Sequence, residues 1–122
     1  MNPPLNDKLL ARYPLIFAEH FSPGSAMSRG VECGDGWFDL IDALCALLQR
    51  QTDYGNQPQA IAAQVKEKLG GLRFYLRNAS ERQRGMIDMA QELSFRICDQ
   101  CGSPGSLIQE SWLKTRCELH RS

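Results

Sequence analysis

The sequence predicts a mainly helical α+β fold that ends in a zinc-bound hairpin, and three observations lead to this class. Apolar residues recur at helical spacing in three stretches, near residues 37–50, 57–69 and 80–97. The run Leu72–Arg77 alternates apolar and polar residues, as a strand with one buried face does. Two pairs of metal-ligand residues follow near the C-terminus. We therefore expect three principal helices around a short strand or hairpin, with the zinc hairpin as an extension.

Length and charge favour one domain without an overall electrostatic bias. The chain has 122 residues, with 14 Lys and Arg against 14 Asp and Glu. We expect a mainly helical body over 1–97 and a zinc-binding hairpin over 98–122, packed together as a single compact unit. Residues 1–63 carry four basic against seven acidic side chains, and residues 64–122 carry ten against seven. The two halves therefore have opposite charge.

The first two helices are predicted from periodicity and from their breakers. Leu5–Arg12 is a short helix that Pro14 interrupts, and residues 22–36 form a glycine-rich loop. The helix over 37–50 has Asp35 as its candidate N-cap. Its apolar stripe consists of Trp37, Leu40, Ile41, Leu44, Leu47 and Leu48.

The central part of the chain is read as a helix, a strand and a further helix. The stripe Ala60, Ile61, Val65 and Leu69 predicts a helix over 57–69 that ends at Gly70-Gly71. The strand Leu72–Arg77 then buries Leu72, Phe74 and Leu76. Ser80 and Gln83 have the spacing of a capping box at the start of the third helix, which delivers the chain to Cys98.

The C-terminal motif predicts one structural zinc ion per chain. Cys98 and Cys101 are separated by two residues, fifteen residues follow, and Cys117 and His120 are again separated by two. This spacing lets four donors surround one tetrahedral ion, with the intervening residues as a hairpin that brings Trp112 back toward the second pair. The alternative is a redox pair of Cys98 and Cys101 with an unrelated surface histidine. It is disfavoured because a redox pair opens a helix, whereas this pair follows one.

Four protein ligands leave no open position on the ion, so we expect folding rather than catalysis from it. Two further cysteines lie elsewhere. Cys45 falls beside the stripe of the 37–50 helix, as a small buried hydrophobe would. Cys33 could be a nucleophile with His20 as its base, although an inert loop thiol is the simpler interpretation. We expect no enzyme activity.

A basic stretch raises nucleic-acid binding as an alternative function. Arg73, Tyr75 and Arg77 share the strand face opposite Leu72 and Phe74, where they could pair phosphates and stack a base. Arg82 and Arg84 continue the basic stretch. An ordinary solvated sheet face explains the same residues, and the neutral chain as a whole favours that interpretation.

The expected cellular location follows from the absence of export signals. The N-terminus lacks the basic region and long apolar stretch of a secretory signal, and no segment is apolar over the roughly 20 residues that span a bilayer. Five cysteines, an odd number, favour metal binding or free thiols over a disulfide framework. We expect a cytoplasmic protein without membrane association.

Three motifs together resemble a widespread group of small proteins of bacteriophages, prophages and their bacterial hosts. They are residues 33–42 (CGDGWFDLID), residues 65–75 (VKEKLGGLRFY) and the cysteine-histidine tail with Trp112. The resemblance covers most of the chain from about Arg12 onward. It implies a phage-type accessory protein that binds and modulates a host or phage protein in the bacterial cytoplasm. Inhibition of a host defence system is one role open in that setting. A nucleic-acid-binding, zinc-finger-like factor is the alternative, and the oligomeric state stays open.

Overall fold

The computed structural model describes residues 1–110 and 112–121, and within them it has three α-helices and two antiparallel hairpins. The predicted α+β class is confirmed. The helices are α1 (Pro3–Arg12), α2 (Phe38–Tyr54) and α3 (Glu81–Ser94). The strands are β1 (Ala62–Lys68) paired with β2 (Gly71–Leu76), and β3 (Ser106–Gln109) paired with β4 (Leu113–Arg116).

Helix α1 starts two residues before the predicted position because it has a complete N-terminal cap. The Asn2 side chain accepts the N–H of Leu5 at 3.0 Å, and prolines occupy the first helical positions, where a missing N–H is harmless. The assignment of Asp35 as N-cap of the next helix is wrong. Its carboxylate instead accepts the backbone N–H and the side-chain amide of Asn2, each at 2.7 Å. Asp35 thus ties the loop before α2 to the start of α1.

The predicted helix over 57–69 is also wrong, because this segment forms β1. Val65 pairs with Phe74 and Lys66 with Arg73 across the hairpin. The spacing of Ile61, Val65 and Leu69 imitates a helical stripe, whereas the buried side chains, Ala62 and Val65, face the core from a strand.

Gly70-Gly71, predicted to end a helix, instead belongs to the turn between β1 and β2. Leu69 and Gly70 both have positive φ, 55° and 87°, which is the backbone of a two-residue type I′ hairpin turn. Gly70 adopts this conformation without strain, whereas leucine does so at a cost. The alternating residues on either side of Leu-Gly-Gly were the signal for a hairpin.

Strand β2 lies where it was predicted and buries Leu72 and Phe74, with Leu76 half-buried. Its outer edge is covered by side chains of α3. Ser94 Oγ accepts the N–H of Leu72 at 2.9 Å, and Gln91 Oε1 accepts the N–H of Phe74 at 3.0 Å. These bonds satisfy two edge donors that would otherwise be open to another strand.

The capping box of α3 is confirmed. Ser80 Oγ accepts the N–H of Gln83 at 3.1 Å, and Gln83 Oε1 accepts the N–H of Ser80 at 3.0 Å. Gln83 is buried, and its amide nitrogen donates to the carbonyl of Pro58 at 2.7 Å. The start of α3 is therefore held to the chain that enters β1. The helix ends at Ser94, before the predicted residue 97.

The core gathers apolar side chains from α1, α2, the first loops and the sheet. Its largest fully buried members are Trp37, Phe17, Leu9, Ile16, Met27, Ile41, Leu48 and Leu72. In the second hairpin Ile108 and Thr115 are buried, and Thr115 Oγ1 donates to the carbonyl of Gly70 at 2.7 Å. Among the residues described, no helix has the length and apolarity needed to cross a membrane.

Replacing Leu69 by asparagine should stabilise the protein. Asparagine tolerates the left-handed conformation that leucine adopts here, and the Leu69 side chain is 60% exposed, so little burial is lost. We expect a gain of about 1 kcal/mol in the free energy of unfolding, measured by urea denaturation. Leu113→Asn is the matched control. It makes the same side-chain change within strand β4, where asparagine is disfavoured, and should destabilise the protein. A loss of stability in Leu69→Asn would contradict the turn assignment.

Candidate metal centre

The four predicted ligand residues come together in the structure. Their donor atoms, three Sγ atoms and one imidazole nitrogen, all lie within 4.8 Å of one another. Cys101 Sγ is 3.7 Å from Cys117 Sγ, and His120 Nδ1 is 3.2 Å from Cys117 Sγ and 3.8 Å from Cys98 Sγ. A tetrahedral ion with Zn–S near 2.3 Å places two sulfurs about 3.8 Å apart, and sulfur and nitrogen about 3.6 Å apart. The cluster therefore has the dimensions of a four-coordinate metal site.

The first pair of ligands is positioned by a tight turn after α3. The N–H of Gly102 donates to the carbonyl of Cys98 at 2.9 Å, and the N–H of Cys98 donates to the carbonyl of Ser103 at 2.7 Å. Gly102 has φ of 82°, so glycine is required where the chain curls around the sulfurs. Cys98 is buried at this turn and Cys101 is exposed.

The second pair is delivered by the β3–β4 hairpin, as the sequence predicted. Strand β4 ends directly before Cys117, and a short 3₁₀ turn, Glu118–His120, brings the imidazole back. The N–H of His120 donates to the carbonyl of Cys117 at 3.1 Å. Ser111, at the connection between β3 and β4, lies outside the described residues.

The loop before α2, residues 34–37, packs against the turn that carries the first ligand pair, residues 97–102. We call this loop the seat and the turn the metal turn. The N–H of Gly36 donates to the carbonyl of Asp99 at 2.9 Å, and Trp37 Nε1 donates to the carbonyl of Ile97 at 2.8 Å. A Cβ at Gly34 would overlap the Asp99 carbonyl oxygen, and a Cβ at Gly36 would overlap that of Cys98. Only glycine lets the two backbones approach this closely. Because Trp37 is fully buried, the metal turn is bonded directly to the core.

A buried ion pair joins the two halves of the site. Arg116 Nε lies 2.6 Å from Asp99 Oδ1, with both side chains largely buried. The N–H of Asp99 also donates to the carbonyl of Thr115 at 3.0 Å, and Arg116 Nη1 donates to the carbonyl of His120 at 3.3 Å. Asp99 follows the first ligand and Arg116 precedes the third. Their contact therefore joins the two ligand pairs.

The three thiols have different acidities. For Cys98, burial raises the pKa, but hydrogen bonds from the backbone N–H groups of Cys117, Gln100 and Cys101 outweigh it, so the pKa is lowered. Hydrogen bonds from the side chain and backbone of Ser103 lower the pKa of Cys101 to about 7. Burial, together with the two neighbouring thiols, raises the pKa of Cys117. The local backbone thus favours thiolates at the first pair, which is the form that binds metal.

The five residues considered for nucleic acid do not act as one stripe. Arg73 and Tyr75 lie on the outward sheet face, and Tyr75 and Arg84 both line a groove of about 320 Å³ between β2 and α3. Arg77 is held in a two-point ion pair with Glu19, at 2.9 and 3.0 Å, which lowers the pKa of Glu19. Arg82 donates to Gln51 Oε1 at 2.9 Å. Arg77 is therefore already neutralised.

The remaining thiols are buried and protonated. Burial raises the pKa of Cys33 to about 12 and also raises the pKa of Cys45. His20 Nδ1 lies 3.0 Å from the carbonyl oxygen of Met27, so this nitrogen carries a proton and donates. Thiols of this kind are poor nucleophiles near neutral pH.

Sequence reasoning missed the residues that support the site. Gly34, Gly36, Trp37 and Asp99 hold the ligands in place without touching the ion's position. The signal was the string CGDGW over 33–37, whose two glycines flank one acidic residue just before a buried tryptophan. Nothing in that string indicated that it would meet residues 97–102.

Comparison with known proteins gives no relative for this chain. No protein-family model matches it, and neither a curated protein nor a solved structure does. The functional interpretation therefore rests on the geometry described above and on the sequence motifs, without support from a relative.

Substituting Gly36 by alanine should weaken the metal centre. The new Cβ meets backbone atoms of Cys98, Asp99 and Gly102 that cannot move aside, so we expect a loss of about 1–3 kcal/mol in the free energy of unfolding and weaker metal retention. Gly85→Ala is the matched control. Gly85 lies in α3 with nothing near its added Cβ, and the change should stabilise by about 0.5–1 kcal/mol. Thermal unfolding of both metal-loaded variants measures the difference in stability. Equal stability of Gly36→Ala and Gly85→Ala would contradict the close packing of the seat against the metal turn.

Proposed function

We propose that the protein is a non-catalytic binding module whose C-terminal segment folds around one structural zinc ion. The observation that carries this proposal is the convergence of three thiols and one imidazole within 4.8 Å. Thiolate and imidazole donors in a tetrahedral arrangement suit zinc, whereas magnesium and calcium prefer oxygen donors. Residues 1–110 and 112–121 hold one such cluster, which gives one ion per chain.

A structural role for the ion follows from the number of its ligands. Four protein donors fill a tetrahedral shell, so neither water nor substrate has a position on the metal. Three thiolates and a neutral imidazole leave a net charge of about −1 on the complex, and the Arg116–Asp99 ion pair lies beside it. The buried, protonated Cys33 supports the non-catalytic assignment of the protein, because a thiol enzyme needs an accessible thiolate.

The binding surface we propose for a partner protein is the apolar tip, which consists of Leu69, Trp112 and Leu113. Their exposed fractions are 60%, 73% and 38%. Gly70, beside Leu69, lies against Leu113 and Lys114, so the turn of the first hairpin meets the second hairpin here. An exposed leucine in a strained turn stabilises nothing within the chain, which favours a role in contact with a partner.

The partner is proposed to be a host or phage protein in the bacterial cytoplasm. This setting rests on the resemblance of residues 33–42, residues 65–75 and the cysteine-histidine tail to small phage and prophage proteins. None of the five cysteines forms a disulfide, which is consistent with a reducing compartment.

Metal analysis tests the zinc proposal directly. We expect one zinc per chain in protein purified without chelator, and no bound zinc in Cys117→Ser, because three remaining donors bind far more weakly. Cys33→Ala is the control and should retain its zinc, since that thiol lies outside the cluster. Elemental analysis that finds a folded, zinc-free wild-type protein would overturn the proposal.

A further inference from the structure

The outward face of the β1–β2 sheet carries a cluster of basic residues. Residues at alternate strand positions share a face, and Val65, Leu72 and Phe74 point into the core. The opposite face holds the set that we call the basic sheet face: Gln64, Lys66, Lys68, Arg73 and Tyr75. Lys68 and Tyr75 are exposed, and the others are half-buried.

Two like charges stand directly opposite each other on this face. Lys66 pairs with Arg73 across the strands, an arrangement that destabilises a sheet unless something offsets the repulsion. Within residues 1–110 and 112–121, the ion pairs use the cations Arg12, Arg29, Arg77, Arg116 and Arg121. Neither Lys66, Lys68 nor Arg73 is among them.

Glu32, the acidic residue next to Lys66 in the sheet, does not provide these cations with a carboxylate partner. Glu32 bridges to Lys66 through the backbone, but its carboxylate lies 3.5 Å from Arg29 Nε. The Arg73 guanidinium donates instead to the carbonyl of Leu72 at 3.0 Å. Three cations therefore share one small face without a carboxylate partner, and an anion bound there would remove the repulsion.

Aromatic rings lie at both ends of the same face. Tyr75 is 42% exposed and stands two positions beyond Arg73. At the other end the ring of Phe95 packs against Gly71, in the space that a Cβ there would occupy. Gly71 and Tyr75 are four residues apart on an extended strand, a distance of about 13 Å. Cations between aromatic rings are the arrangement that holds a phosphate chain and stacks its bases.

The groove between β2 and α3 continues this path from Tyr75. It has a volume of about 320 Å³, and Arg84 and Gln91 line it beyond the tyrosine, with Asp88 as its acidic member. An extended ligand that crosses the sheet face can therefore continue along this groove, where Arg84 offers a cation and Gln91 an amide.

We propose that the basic sheet face binds single-stranded nucleic acid. Lys66, Lys68 and Arg73 contact phosphates, and Tyr75 stacks an unpaired base. A single strand is required because the bases of a duplex are already stacked and cannot meet the tyrosine ring. The proposal goes beyond the proposed function, since it concerns a second ligand on a face other than the apolar tip, and it does not depend on the identity of the metal.

Fluorescence anisotropy with labelled oligo-dT and oligo-U, using the metal-loaded full chain, tests this proposal. Three phosphate contacts should give a slope of about −2 in a plot of log K against log salt. Tyr75→Ala should weaken binding about 5- to 150-fold, as expected for one lost stacking contact, whereas Tyr75→Phe should restore it. Arg73→Gln should make the slope less steep by about 0.7.

Tyr54→Ala is the matched control, because Tyr54 is 88% exposed at the end of α2. It should bind like the wild type, and circular dichroism should show that every variant is folded. Arg73→Gln, which keeps the tyrosine, decides the matter if Tyr75→Ala fails to fold. The proposal is overturned by absence of binding at low salt, by an equal loss in Tyr54→Ala, or by duplex DNA binding as tightly as the single strands. Displacement of the oligonucleotide by poly-glutamate at equal charge concentration would identify an acidic protein surface as the ligand instead.

Discussion

The backbone contact between residues 34–37 and residues 97–102 connects the metal centre to the rest of the fold. On one side lie Gly36 and the indole of Trp37, and on the other the carbonyls of Asp99 and Ile97. The C-terminal hairpin has little apolar core of its own, with Ile108 and Thr115 as its buried side chains. We therefore propose that its order comes from a bound metal ion and from this seat together. Because thiolates bind metal only once they are brought together, the free energy of metal binding becomes free energy of folding for this segment.

The same constraint bears on the two surfaces that we propose for ligands. With the C-terminal segment held by the Asp99–Arg116 pair and, when metal is bound, by its four ligands, the apolar tip needs no burial of its own to stay in place. The sheet face is likewise supported from behind, since Val65, Leu72 and Phe74 fix β1 and β2 against the core. Rigid support under an exposed surface reduces the ordering cost of binding, which fits the recognition role that we propose.

Local signals in the sequence were sufficient for some parts of this structure and misleading for others. The convergence of Cys98, Cys101, Cys117 and His120, the Ser80–Gln83 capping box and the strand over 72–77 were predicted correctly, because each depends on residues close together in the chain. The helix over 57–69 was wrong because Ile61, Val65 and Leu69 imitate a helical period, and pairing with β2 overrides that preference. The role of Asp35 and the neutralisation of Arg77 by Glu19 could not be predicted, since each partner lies more than thirty residues away in sequence. The seat for the metal turn was missed for the same reason.

Hydrogen exchange at the seat, compared between metal-loaded and chelator-treated protein, tests the central claim most directly. The amide of Gly36 is the probe, because its bond to the Asp99 carbonyl joins the two segments although the residue lies more than sixty positions from the first ligand. If the ion holds the C-terminal segment in its seat, removing it should accelerate exchange at Gly36 and Trp37 as well as at residues 98–120. The amides of β1 that bond to β2 should keep their protection. Unchanged exchange at Gly36 and Trp37 after complete metal removal would show that the seat forms without the ion and would contradict this account.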